Sequence, residues 1–244
     1  MKKWQIGLVG IGLYGLAMLM TIPATLVRKA LPPEVEIEHI DGTIWQGQAE
    51  QIRYSGQAIF DSLAWDWQTS RLLTLSLVVD LKTRWQDAAG HTRLNAGFSS
   101  IRLQDTDITL PLTPFVNAFP ELAQYKLQGN LNALSPDFVW ADSKGTGQLS
   151  ADWRDARSGW SGDAIMGSYH IDVKAVEKGY ALRVNTTKGP LMIDADATGS
   201  PGQGWNVGTT LKPPAAQMPE FMNLLAQLGP PREDGVYVLR YSFK

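Results

Sequence analysis

The chain has 244 residues and a mass of 26.9 kDa, enough for one large β-rich domain or two small ones. It contains no cysteine, which excludes disulfides, thiolate metal sites and a cysteine nucleophile. The net charge of −2 argues against a nucleic-acid-binding protein, which normally carries an excess of basic residues. A hydrophobic content of 44% argues against a disordered chain.

The N-terminal segment has the pattern of a membrane anchor. Residues 1–29 contain Lys2, Lys3, Arg28 and Lys29 and no acidic residue, whereas the rest of the chain is acidic overall. Between these basic pairs, residues 4–27 carry no charge. About 20 apolar helical residues cross the hydrocarbon core of a bilayer. The sequence therefore predicts a transmembrane helix within residues 1–29.

The basic residues also predict the orientation of this helix. Lys2 and Lys3 precede the apolar run, and the positive-inside rule places that end in the cytoplasm. Residues 30–244 would then lie in the periplasm of a diderm bacterium. The alternative is a cleaved signal peptide with a site near Ile22-Pro23-Ala24. Signal peptides usually have an apolar core of only about 7–15 residues, so the longer run favours an uncleaved anchor.

Residues 30–244 show the alternation of half-buried β-strands. In the segment from Leu73 to Trp85, apolar residues at odd positions face one side and polar residues such as Asp80 and Lys82 face the other. The same period recurs at 63–67, 94–98, 125–131, 149–153, 169–173, 180–184, 191–195, 205–211 and 237–243. Many short strands separated by turn residues predict a mainly β fold: an antiparallel β-sandwich, a roll or a partly open barrel.

Two short amphipathic helices are expected to cover one face or end of the sheet. The first begins at Thr113-Pro114, with Phe115, Phe119 and Leu122 on one side. The second begins at Pro219 and ends at Gly229-Pro230. Its apolar side consists of Phe221, Leu224, Leu225 and Leu228.

The two parts of the body resemble each other weakly. Gly42-Thr43 recurs as Gly145-Thr146, and Leu122-Ala123-Gln124 recurs as Leu225-Ala226-Gln227. Both pairs are about a hundred residues apart, and the predicted elements follow in the same order. We interpret this as an internal duplication with halves at about 36–135 and 136–244.

The sequence predicts no catalytic, cofactor-binding or metal-binding residues, and leaves any binding residues unknown. His39, His91 and His170 have no second histidine at metal-ligand spacing. His170 and Asp172 share a strand face, where a solvent-facing pair is the usual reading. Ser161 lacks the last glycine of the nucleophile-elbow motif. The alternating pairs Asp105/Asp107 and Asp194/Asp196 are typical of a solvated strand face.

Tryptophan is unusually abundant, with nine residues in the chain. Most of those in the body occupy the apolar register of predicted strands, where large rings fill a core. Trp160, in a Gly/Ser turn, is the best candidate for ligand stacking.

One stretch has a specific resemblance. The anchor is followed by Asp41-Gly42-Thr43-Ile44-Trp45-Gln46-Gly47-Gln48-Ala49, a G-T-x-W-x-G-x-A pattern. A W-x-W strand, the Leu110-Pro111-Leu112 segment, a Leu-Leu-x-x-Leu-Gly helix and the strand at Asp234-Gly235-Val236-Tyr237 complete the similarity. Together these features resemble the type II secretion system protein N family, also called general secretion pathway protein N.

The resemblance implies an accessory, non-enzymatic component of the type II protein secretion machinery. It implies a single-pass protein of the cell inner membrane with a periplasmic β-domain and no cofactor. Its partners would be the inner membrane and other secretion subunits, both inner-membrane and periplasmic, with no nucleic acid.

Two other functions remain open. A curved sheet with a dry face is also compatible with a lipid- or hydrophobe-binding module of the AsmA-like β-groove kind. An enzyme acting on cell-wall material would need a polar constellation in a cleft, and the residues above assemble none.

Overall fold

The structure of the chain is a computed structural model. It describes residues 14, 18–29, 31–74, 76–117, 123–141, 144–159, 161, 164–176, 179–200, 203–213, 221, 225–226 and 229–243.

The described residues form thirteen antiparallel strands in one open sheet. The strands are β1 Val35–Gly42, β2 Gln46–Tyr54, β3 Gln57–Trp67, β4 Leu77–Trp85, β5 Ala88–Ala96, β6 Ser100–Pro111, β7 Gln128–Ala141, β8 Lys144–Arg157, β9 Gly167–Val176, β10 Gly179–Lys188, β11 Met192–Ser200, β12 Gly204–Lys212 and β13 Tyr237–Phe243. Each strand pairs with the next in sequence, and β1 does not pair with β13. The predicted mainly β antiparallel fold is confirmed. These strands form a single open sheet, so they do not form the two layers of a sandwich.

Strand pairing gives the sheet one apolar and one polar face. In β8 to β11, Ala151, Ile171, Val184 and Ala195 are register partners. The next residues along these strands, Asp152, His170, Asn185 and Asp194, are also partners and point to the opposite side. The register thus aligns apolar residues with apolar residues, and polar with polar, on neighbouring strands.

Register shifts interrupt this alternation at six places, and three of them involve a non-glycine residue with positive φ. Gln51, Asp105 and Asp155 have positive φ values of 52°, 49° and 50°, and each lies at or beside a register shift. An extra residue at a bulge bends the strand and re-aims the following side chains. The bulge at Gln51 explains why Ala49 and Ile52, three residues apart, are both buried in one cluster.

The first half of the sheet is curled. Nε1 of Trp85 on β4 donates a hydrogen bond to Oδ1 of Asn130 on β7 at 3.2 Å. In a flat sheet these strands would be about 14 Å apart, because neighbours are spaced by about 4.8 Å. The sheet must therefore curl for the two side chains to meet.

Apolar clusters cover parts of the apolar face. The N-terminal cluster contains Ala24, Ile40, Ala49 and Ile52, with the 3-10 helix Ala24–Lys29 against β1. The C-terminal cluster contains Ala156, Met166, Tyr169, Leu191, Leu211 and Phe221. A short helix, α1 (Thr113–Asn117), buries Pro114 and Val116, and its Phe115 ring stacks on Tyr54.

The predicted helices are described only in part. The first begins at Thr113 as predicted, but Phe119 and Leu122 lie outside the described residues. In the second, Phe221, Leu225 and Ala226 are helical, and the remaining predicted residues lie outside the described ones. Phe221 is almost completely buried, as expected for a helix that covers the sheet.

Some strand boundaries were predicted wrongly. Residues 69–74 form a 3-10 helix, so β4 begins at Leu77 rather than at Leu73. Phe98 lies in the turn after β5 and is fully exposed. Tyr125 and Leu127 precede β7, and β1 and β6 were not among the predicted strands. Turn hydrogen bonds, such as that from Gly97 N to the Ser100 carbonyl, decide these ends.

Most of the predicted transmembrane segment lies outside the described residues. Tyr14 and Met18 to Met20 are helical and exposed. Within the described part of the chain, we find no helix with the length and apolarity needed to cross a membrane.

The order of elements has a repeat. Strands β1 to β6 are followed by α1, and strands β7 to β12 are followed by the helical residues around Phe221. The bulge residues Gln51 on β2 and Asp155 on β8 occupy equivalent places in the two series. The predicted duplication stays a prediction, and its boundary at 135/136 falls inside β7.

Candidate functional site

The G-T-x-W-x-G-x-A stretch forms the turn between β1 and β2. Gly42 closes β1 with a φ of 90°, a conformation in which a Cβ would lie 2.5 Å from the Gln46 carbonyl oxygen. The backbone N of Thr43 donates to that carbonyl at 2.8 Å. The Thr43 hydroxyl accepts hydrogen bonds from the backbone N of Trp45 and of Gln46. Glycine and threonine are therefore both needed by the geometry of the turn.

Two tryptophans connect this turn to the rest of the chain. Nε1 of Trp65 on β3 donates to the Thr43 carbonyl at 3.1 Å, while Nε1 of Trp45 donates to the Leu19 carbonyl at 2.7 Å. The Trp45 ring also meets Trp67 edge to face, with centroids 6.4 Å apart. The motif thus joins the N-terminal segment to the sheet.

The same strand ends receive further bonds from the N-terminal segment. Pro23 forms an isolated bridge with Thr43, and the backbone N of Ile44 donates to the Ile22 carbonyl at 3.0 Å. We call this end of the strands the stem end. Odd-numbered strands finish there and even-numbered strands begin there, from β1 to β13. The opposite side, with α1 and Phe221, is the helix end.

The polar face carries a groove of about 1020 Å³ across β1 to β6. Asp80 accepts hydrogen bonds from Arg93 Nε at 2.7 Å and from Gln68 at 2.8 Å, and Arg93 also reaches Asp105 at 3.5 Å. Partial burial alone would raise the pKa of Asp80, but the bonds from Gln68 and Arg93 and the nearby charges lower it overall. Asp80 is therefore an anion at neutral pH rather than a proton donor.

A second polar group lies on β8 and β9. His170 Nδ1 is 2.7 Å from an Asp152 oxygen, and its Nε2 is 3.6 Å from Asp172. The hydrogen bond to Asp152 raises the pKa of His170, and the charges of both carboxylates add to this effect against a smaller contribution from burial. The predicted pairing of His170 with Asp172 on one strand face is present, and Asp152 is a partner that spacing within one strand does not reveal.

The remaining sequence candidates that the structure describes either have structural partners or are exposed. The Ser161 hydroxyl is buried and is hydrogen-bonded to the Ser158 and Ala164 carbonyls, as in a structural turn. Asp107 accepts a bond from Asn132 at 2.7 Å, while Asp194 and Asp196 are exposed on β11. Within the described ranges no cluster of three histidine, aspartate or glutamate residues could hold a metal ion. Trp160 lies outside the described residues.

The apolar face of β8 to β13 is only half buried. Leu149, Val173, Leu182, Ala197 and Val207 are register partners across five strands and are all partly exposed. The C-terminal cluster covers this face toward the helix end, around Tyr169 and Leu211. The six strands span about 24 Å. Sequence reasoning assigned these aliphatic residues to a closed interior because alternation does not reveal whether a second layer covers them.

Comparison with known proteins identifies the family. The family model for Type II secretion system (T2SS), protein N matches residues 33–240. The chain belongs to the type II secretion system protein N family. Membership confirms the family resemblance predicted from the sequence, and the name shared by the relatives supports a role in type II secretion.

Two relatives carry the name type II secretion system protein N. The protein from Vibrio cholerae serotype O1 is 33% identical over 133 residues, which are 50% of this chain and 52% of the relative. The chain therefore spans about half the length of that relative. The protein from Aeromonas hydrophila is 25% identical over 237 residues, or 92% of each chain. No solved structure matches the chain.

The G-T-x-W-x-G-x-A stretch leads to a prediction about Gly47. A Cβ at this position would lie 2.5 Å from the Asp41 carbonyl and 2.5 Å from Cζ2 of Trp65. Because both neighbours must move, we expect Gly47→Ala to lower the free energy of unfolding by about 1–3 kcal/mol. Chemical denaturation of the full chain in detergent measures this. The matched control is Gly208→Ala on β12, where a Cβ meets no atom within 4 Å; equal losses in both variants would contradict the packing explanation.

His170 allows a test of the polar face. We expect Asp152→Asn to lower the pKa of His170 toward its usual value, because the main cause of the elevation is lost. The stabilisation from protonated His170 is complete below the pKa of the unfolded chain, about 6.5, and disappears as the pH rises through the higher pKa of the folded chain. A histidine NMR titration of both proteins measures the shift. An unchanged pKa would exclude Asp152 as its cause.

Proposed function

We propose that the chain is a non-enzymatic component of the type II secretion machinery that acts by contacts with other secretion subunits. In this proposal residues 1–29 anchor the chain in the inner membrane with the N-terminus in the cytoplasm, and the sheet lies in the periplasm. The anchor is supported by the uncharged run of residues 4–27. The observation that supports binding by contact is the open edge of the sheet at β13.

The two edges of the sheet differ in how they are covered. The outer side of β1 lies against residues 22–28, through the Pro23–Thr43 bridge and a hydrogen bond from the Arg28 guanidinium to the Glu38 carbonyl. In the described part of the chain, β13 pairs with β12 alone. Unpaired backbone groups of an edge strand are a template for a strand from another protein. β13 is therefore the edge at which we expect a partner to bind.

A crosslinking experiment tests the edge. In native membranes that contain the other secretion subunits, we expect a photoreactive amino acid at Val238 on β13 to form an adduct with one of them. Ile165, before β9, is the matched control because both side chains are 42% exposed. An adduct at Val238 and none at Ile165 supports the proposal. No adduct with a secretion subunit at Val238, or the same adducts at both positions, would contradict it.

A second candidate function is the binding of acyl chains on the apolar face of β8 to β13. The observation that favours it is the partly exposed row containing Val173, Leu182 and Val207. Monomeric soluble proteins seldom leave so wide an apolar surface without a function. The tryptophans do not fill this face, since Trp153 and Trp205 are themselves only partly buried.

Mass spectrometry of lipids that co-purify with the full chain tests this second function. We expect Leu182→Gln to reduce bound lipid several-fold, because it places a polar group in the middle of the apolar row. Ala181→Gln changes the adjacent residue, a register partner of Lys174 that points to the polar face, and should leave the lipid content unchanged. The absence of lipid from the unmodified chain, or equal losses in both variants, would exclude this function.

A further inference from the structure

Large apolar side chains are exposed mainly at the stem end of the sheet. Phe98 lies at the tip of the β5–β6 turn and is fully exposed, and Trp140 near the end of β7 is 43% exposed. We call the exposed apolar residues at these strand ends the rim; they are Leu77, Phe98, Ile101, Trp140, Val176 and Tyr241.

The rim is continuous along part of the apolar face. Leu77, Ala96, Ile101 and Trp140 are register partners on β4 to β7, so their side chains form one row next to the Phe98 turn. Exposed apolar surface of this extent marks an interaction site rather than ordinary surface composition. The helix end differs, because there α1 and Phe221 cover the sheet.

The uncharged N-terminal run reaches the sheet beside the rim. The Leu19 carbonyl accepts the hydrogen bond from Trp45, and Ile22 and Pro23 bond to the β1–β2 turn at the same end. Met18, Leu19 and Met20 are exposed there. The end of the uncharged run that contacts the sheet, at Leu19 to Pro23, therefore lies at the stem end with the rim, and not at the helix end.

We propose that the rim rests on the surface of the phospholipid bilayer, with Phe98 and Trp140 at the level of the headgroups. Tryptophan prefers this zone because its ring is apolar and its N–H is polar, and the apolar ring of an exposed phenylalanine gains by leaving water. The stem ends of the strands would then contact the membrane, and the partly exposed apolar face would be accessible from the lipid. This inference rests on the membrane anchoring proposed above.

The absence of native cysteine allows site-specific labelling of the full chain. Phe98→Cys places a fluorescent label on the rim. Met192→Cys places the same label at the helix end, where the native side chain is 53% exposed. In proteoliposomes at a high lipid-to-protein ratio, brominated phospholipid and aqueous iodide report the surroundings of each label. We expect bromolipid to quench the label at 98 at least threefold more than that at 192, and iodide to show the reverse.

The remaining outcomes separate this inference from the anchoring. Equal iodide quenching at both positions, in a chain that stays with the vesicles after a carbonate wash, would overturn the rim proposal and leave the anchor intact. Shielding of position 98 from iodide without bromolipid quenching would indicate a protein occupant, such as a second copy, and would also overturn it. Release of the chain by carbonate would refute the anchoring itself.

Discussion

Backbone hydrogen bonding between neighbouring strands, all the way from β1 to β13, organises the molecule. Because each strand pairs with its neighbour in sequence, the chain forms one antiparallel sheet whose side chains alternate between two faces. Because the ladder does not close, the apolar face has no second layer of strands in the described residues. That face must be covered by local elements or remain partly exposed, and both situations occur.

The apolar face is covered at one end of the strands and exposed at the other. At the helix end, α1 buries Val116, and Phe221 completes the C-terminal cluster with Tyr169 and Leu191. At the stem end, no described helix covers the apolar row, and Phe98 and Trp140 are exposed. This asymmetry gives the sheet two chemically different ends. The proposed membrane contact rests on this asymmetry, whereas the proposed partner site rests on the open edge at β13.

The G-T-x-W-x-G-x-A stretch connects these features. Its glycines permit a turn and a close strand approach, and its Trp45 bonds to Leu19 in the N-terminal segment. The stretch therefore has a structural explanation in its turn and strand contacts. On the polar face, the Asp80–Arg93 and His170–Asp152 pairs are partly exposed to solvent and connect neighbouring strands.

The residue pattern by itself determined the mainly β class, most strand positions, the start of α1 and the assignment of side chains to opposite faces. These properties follow from a period of two residues, which is local. Only the tertiary structure decided that the sheet is single and open, that Gln51 and Asp155 form bulges, and that Asp152 lies beside His170. It also decided that Phe98, predicted within a strand, is exposed in a turn. The reason is that closure, bulges and cross-strand contacts depend on hydrogen bonds between residues far apart in sequence, and such pairing leaves no periodic signal in the chain.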